Sequence, residues 1–140
     1  MSETGLVSLK QKLVNYKKAL FSLKEILEKI KSKHDDEDFK IYRDSAIKRF
    51  EYSLEVARKL MSKYIEFVDK KINGQKLVLK KAFEFDLIEG NIWLIMIEDR
   101  NLTTHEYSEA IAEELLEDIY TYAQKLKEFH TVIESKIDEL

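Results

Sequence analysis

The sequence predicts an all-helical bundle, and three observations carry that reading. Apolar residues recur in alternating steps of three and four along most of the chain, which is the spacing of one face of a helix. There is no proline and there are only three glycines in 140 residues, so little interrupts the backbone and a sheet protein's turns would lack their usual residues. The apolar fraction of 44% and the charged fraction of 36% suit long amphipathic helices rather than disorder. One domain spanning 1–140 is expected, long enough to bury a core.

The same composition narrows the function classes. Without cysteine there is no disulfide framework and no thiolate chemistry, and a cytoplasmic location fits. No apolar run approaches the ~18 residues of a membrane span, and the first five residues lack a basic-then-apolar leader pattern. A net charge of -3 argues against strong non-specific nucleic-acid binding, so a local basic patch would have to supply any.

Leu6, Leu9, Leu13, Tyr16, Leu20, Leu23, Leu27 and Ile30 share one stripe of a first helix, with Lys10, Lys17, Lys18 and Lys24 on its other faces. Such a seam builds a long coiled coil or the first helix of a bundle, and the bundle is favoured. Ser32 to Asp38 breaks the pattern. Its acidic run, Asp35 to Asp38, offers N-caps and negative charge to the start of the next helix. A metal site with His34 is disfavoured, because consecutive loop residues share no face, and no metal or other cofactor is expected.

A second helix is expected from about Phe39 to about Ile72, roughly 50 Å long, with Ala46, Phe50, Leu54, Ala57, Met61, Tyr64 and Val68 as its buried stripe. Arg43, Arg49, Glu51, Arg58 and Lys59 read mostly as its solvated face. Asn73-Gly74 is a stop signal. A shorter helix, Gln75 to about Leu87, carries Leu77, Val78, Ala82, Phe83 and Phe85 and ends at Glu89-Gly90-Asn91. Ile92 to Ile97 is apolar all round; with no partner strand in the chain it reads as a buried helical segment continuing to Arg100. The last helix starts with Thr103 as N-cap and Glu106 at the third position of a capping box. Ile111, Leu115, Ile119, Tyr122, Leu126, Phe129 and Ile133 form its stripe, with His130 beside it as a partly exposed histidine.

The stretch Glu98 to Tyr107 concentrates Arg, Asn, His and Tyr where two helices should meet. On an unbroken helix Arg100 and His105 would diverge by about 140°. A break at Leu102-Thr103 lets Arg100 and Asn101 converge with His105 in the first turn of the last helix. The free N–H groups and positive dipole there suit a phosphate. Arginine would clamp the oxygens and histidine could move a proton. The plain alternative stays open: Arg100 paired with Glu98, Asp99 or Glu106, His105 as a capping residue, and Tyr107 packed over the end of the bundle.

Arg100-Asn101-Leu102-Thr103-Thr104-His105-Glu106-Tyr107 resembles the Arg-x4-His-x-Tyr motif of HEPN-superfamily toxins of the HepT type. Arg49-Phe50-Glu51-Tyr52, Ala57-Arg58-Lys59, Ala82-Phe83, Leu87-Ile88 and Trp93 resemble the nucleotidyltransferase substrate-binding proteins. The likeness runs from the first helix to the last and is most specific over Asp99 to His105. Arg58 departs from it, standing where many relatives carry an aromatic.

The resemblance implies an up-and-down bundle of four main helices with a short extra one, HEPN-like, dimerising with two motifs facing one groove. It implies a metal-independent endoribonuclease, the toxin of a two-gene toxin–antitoxin system. A minimal nucleotidyltransferase encoded next door would neutralise it, in some systems by transferring AMP to the motif tyrosine. Carried over, Arg100 and His105 would be catalytic with Asn101 assisting. Arg100, Thr104 and His105 would bind RNA or nucleotide, and Tyr107 would be the modification site. The family's other label implies instead a non-catalytic subunit that binds substrate or nucleotide for the nucleotidyltransferase. Cleavage chemistry itself favours a dimer: attack by a ribose 2′-OH needs a base, an acid and stabilisation of the phosphorane, and one chain brings a single motif histidine.

Overall fold

The computed structural model describes residues 3–32 and 37–140. It is all-α, with no strand among the described residues. The elements are α1 (Glu3–Ser32), α2 (Phe39–Val68), α3 (Gln75–Glu84), α4 (Ile92–His105) and α5 (Glu109–Asp138). Three helices of 30 residues, α1, α2 and α5, pack on one another. The short α3 lies against α2, and the 14-residue α4 lies against α5. The bundle is therefore three long helices, with α4 only half their length. None of the described helices is long and apolar enough to cross a membrane.

The predicted stripes are the core. Leu9, Tyr16, Leu23, Leu27 and Ile30 are buried on α1, Ala46 to Ile65 on α2, and Leu115 to Ile137 on α5. A few polar atoms are anchored within this apolar seam. The Tyr16 hydroxyl donates to the Leu126 carbonyl at 2.6 Å, and its burial pushes the phenol well above its ordinary pKa. Ser53 donates to the Arg49 carbonyl at 2.7 Å, within its own helix, which lets α1 and α2 approach around it.

Several boundaries differ from the expected ones. The acidic loop's His34, Asp35 and Asp36 lie outside the described residues. Helix α2 ends at Val68, before Asn73-Gly74, and Ile72 tucks its side chain into the core from the loop. Gly74, at φ +94°, instead leads into α3 as its N-cap, a backbone conformation that favours glycine. Helix α3 stops at Glu84 rather than Leu87. There Asp86 takes a left-handed conformation, the Leu87 N–H donates to Ala82 O and the Asp86 N–H to Phe83 O. This is a Schellman closure with an aspartate where glycine is usual.

The largest correction falls on the central stretch. The predicted break at 101–103 does not occur, and α4 runs unbroken through Thr103 to His105. Thr103 is buried, and its hydroxyl donates to the Arg100 carbonyl at 2.8 Å, so it caps nothing. The connection is Glu106 to Ser108, and Ser108 caps α5, its Oγ accepting from the Ile111 N–H at 3.2 Å. Two capping sequences compete here, and burial of Thr103 against α5 decides between them. Ser108→Ala should therefore destabilise the fold by about 1 kcal/mol in urea unfolding. Thr103→Val, which keeps the buried shape, should cost less.

Helix α5 also carries His130, which is half-buried beside the Tyr16 ring and not freely exposed. Burial holds its pKa below the usual histidine value. The unfolded chain thus takes up a proton at a pH where the folded one does not. Stability should be full above pH ~6.5 and fall as the pH drops below it. In thermal melts His130→Gln should lose the part of that slope lying between pH ~6.5 and the lower folded value.

Candidate functional site

The unbroken α4 sends the motif residues in two directions. Trp93, Ile97 and Arg100 recur at i, i+4 and i+7 and face the bundle. Asn101 and His105, four residues apart, share the solvent face with the exposed Leu94, Ile95 and Leu102. Arg100 and His105 lie about 140° apart on the helix. The predicted convergence of Arg100, Asn101 and His105 at a helix start is therefore not present within one chain. His105 stands in the last turn of α4, at the negative end of that helix. The start of α5, where a phosphate was expected, is capped by Ser108 and carries Glu109 in its first turn. Thr104 is exposed and donates its hydroxyl to the Arg100 carbonyl at 3.2 Å.

Arg100 instead lines a cavity of ≈ 240 Å³ where α2, α3 and α4 meet. Its other polar walls are Glu55 and Arg58 from α2 and Gln75, the first residue of α3. Leu54, Met61, Leu79, Trp93 and Ile97 supply the apolar walls. Arg58 is held by a two-point fork: Nη2 donates to Glu55 Oε1 at 2.7 Å and Nε to Oε2 at 3.3 Å. That hydrogen-bonded guanidinium, with lesser help from Lys59 and Arg100, keeps the Glu55 carboxyl below its usual pKa. Arg100 makes no ion pair with Glu98, Asp99 or Glu106. Asp99 is taken by the Tyr122 hydroxyl in a short hydrogen bond. Two guanidinium groups and one carboxylate thus face one space, and the arginine without a carboxylate partner is the motif's own.

Tyr107 leaves the helix altogether. It sits in the α4–α5 connection, 53% exposed, and its hydroxyl donates to Asp44 Oδ1 at 2.5 Å. Partial burial and the Asp44 carboxylate hold the phenol above its usual pKa. Behind Asp44 lies Arg43, which is 1% exposed. Arg43 donates through Nε and Nη2 to Asp44 Oδ1 at 3.2 and 3.1 Å, and through Nη1 to Glu109 Oε2 at 2.7 Å. This latch ties the start of α2 to the connection and to the first residue of α5. The expected placement of Tyr107 in the first turn of the last helix is corrected by the later α5 start.

Sequence reasoning missed Arg58, Glu55 and Gln75 as cavity residues and Arg43 and Asp44 as the latch. A signal existed for Arg43, which sits three residues before Ala46 and so continues the buried stripe of α2. Among the described residues, no group of three or more His, Asp or Glu side chains could hold a metal ion.

The model of the family described as nucleotidyltransferase substrate binding protein like matches residues 11–135. The chain belongs to that family. The matched range reaches all five helices and includes every residue of the α2–α3–α4 cavity and of the α4–α5 connection. No curated protein matches the chain significantly.

Proposed function

We propose that the chain is the nucleotide-binding partner of a separate nucleotidyltransferase and that the α2–α3–α4 cavity takes the phosphate end of the nucleotide. The observation that carries this reading is the meeting of Arg58 and Arg100 at one cavity. Guanidinium forks match phosphate oxygens in pairs, and a partly dry site strengthens such hydrogen bonds. The volume, ≈ 240 Å³, is below the ~300–1,000 Å³ of pockets that enclose a whole ligand. The phosphates fit; the base and ribose would project outward, where a partner's active site can reach them. The family description supports the choice of partner.

Calorimetric titration of the chain with ATP, AMP and adenosine tests it. Binding should strengthen with the number of phosphates, persist in His105→Ala and weaken in Arg100→Ala. Adenosine binding as tightly as ATP would refute it.

A second reading, the toxin endoribonuclease, is favoured by one observation: Asn101 and His105 share an exposed α4 face with Leu94, Ile95 and Leu102. An apolar, partly polar face of this kind suits a homodimer with two His105 side chains in one groove. Cleavage would also need Arg100 to leave its cavity and turn outward. On this reading His105→Ala abolishes metal-free RNA cleavage leaving 2′,3′-cyclic phosphates, and Tyr107 is the site at which transferred AMP would displace Asp44. A monomer by sedimentation at tens of micromolar, or equal cleavage by wild type and His105→Ala, would count against it.

A further inference from the structure

We propose that the groove between α1 and α5 is a docking site for an acidic amphipathic helix of a partner protein. It has a volume of ≈ 490 Å³ and lies away from both the Arg100 cavity and the Tyr107 latch. Its apolar lining comes from Leu20 and Leu27 of α1 and from Tyr120 and Ala123 of α5. Phe21, which also lines it, is 64% exposed and so offers an apolar ring to an incoming partner.

Charge selects the occupant. Lys17, Lys24 and Lys31 border the groove from α1, and Lys127 borders it from α5. Glu28 is the single carboxylate among the lining residues, so the groove is strongly positive in a chain whose net charge is -3. Lys24 contacts Glu28 only at 4.0 Å, an exposed pair worth little, and Lys31 lies over the Tyr120 ring. His130 at the groove's end adds no charge at neutral pH, because burial keeps it neutral.

Spacing selects its shape. Lys10, Lys17, Lys24 and Lys31 recur every seven residues. On a helix that is a row with a repeat of about 10.5 Å. A second helix laid along α1 presents carboxylates at the same repeat if they too recur every seven residues, with apolar residues at i, i+3 and i+4 between them. A nucleic-acid strand offers charge at about 3.4 Å of rise and no apolar face for Leu20 and Leu27. A membrane surface would meet the lysines and Phe21 but could not enter a groove between two helices. The chemistry therefore points to protein, with leucine or phenylalanine anchors and glutamate flanks.

The test uses the full-length chain, 15N-labelled, and two synthetic peptides of about 18 residues, five helical turns. One carries leucines at i, i+3, i+4 and i+7 with glutamates every seven residues; its twin has lysine for each glutamate. The acidic peptide should shift amide resonances of residues 20–27 and 120–124. The Lys17→Glu/Lys24→Glu variant should bind it at least about tenfold more weakly, roughly 1.4 kcal/mol. Phe21→Ser, an exposed change that spares the core, should also weaken it. The proposal is overturned by no shifts up to about 1 mM peptide, by equal binding of the basic twin, or by shifts centred elsewhere. Binding unchanged in the double variant, or a homodimer in sedimentation that Phe21→Ser splits into monomers, would also overturn it.

Discussion

Arg58→Ala should lower the affinity for ATP by about 100-fold, more than the roughly tenfold loss expected of Arg100→Ala. Each arginine offers charge-assisted hydrogen bonds to phosphate, worth about 1.5–3 kcal/mol apiece when made to a charged group. Arg58 has a second role, because its fork neutralises Glu55. Remove the guanidinium and the Glu55 carboxylate keeps only the looser Lys59 contact at 3.9 Å, so more of its charge faces the cavity and repels the phosphate that Arg58 attracted. Two further variants separate these contributions. Glu55→Gln should tighten ATP binding, since it deletes the negative wall while keeping an amide to orient Arg58. Arg58→Ala/Glu55→Gln should recover part of the loss. A purely structural Glu55–Arg58 pair would behave oppositely: both single variants would lower stability, and neither would move ATP affinity in a direction set by charge. Circular dichroism and calorimetry on the same samples read both effects.

Arg43→Met should destabilise the fold by about 2–3 kcal/mol, a drop of roughly 5–10 °C in the melting temperature. Methionine fills much of the space, so the loss reports hydrogen bonds to Asp44 and Glu109 rather than a cavity. Lysine should not rescue it, because an ammonium cannot span two carboxylates on two elements as the planar fork does. The pH dependence has a definite sign. Arg43 holds the Glu109 carboxyl below its usual pKa, so the stabilisation is complete above pH ~4.5 and is lost as acid protonates Glu109 below that. In Arg43→Met that part of the acid slope should shrink to the smaller share that Lys40 supplies. The same variant releases Asp44 and with it Tyr107, so the α4–α5 connection should exchange its amide protons faster than the rest of the bundle.

The long helices were legible because their burial is periodic. Thirty residues of three-and-four spacing leave no other regular structure for α1, α2 or α5. What the pattern could not show was where short, competing signals would be resolved. Thr103 with Glu106 and Ser108 with Glu109 are both sound helix starts, and the choice falls to burial of Thr103 on the side of α4 that faces Ile111 and Leu115 of α5, a tertiary effect. Asp86 ended α3 because a left-handed aspartate was tolerated where glycine would have been the visible signal. The motif is legible in its residues, but its geometry follows a helix boundary that packing sets. Extending α4 by one turn separated Arg100 from His105 and turned Arg100 toward Arg58. Arg58 reads from the sequence as part of the solvated face of α2 and as a departure from the family pattern. Its meaning depends on α3 and α4 arriving over α2, which no local spacing encodes.

A crystal structure of the chain soaked with ATP decides whether Arg58 and Arg100 hold phosphate. Phosphate oxygens should lie within hydrogen-bond distance of both the Arg58 and Arg100 guanidinium groups, with Gln75 beside them and the adenine outside the cavity. Phosphate density against Asn101 and His105 on the opposite face of α4, with the Arg58–Arg100 cavity unchanged, would contradict it.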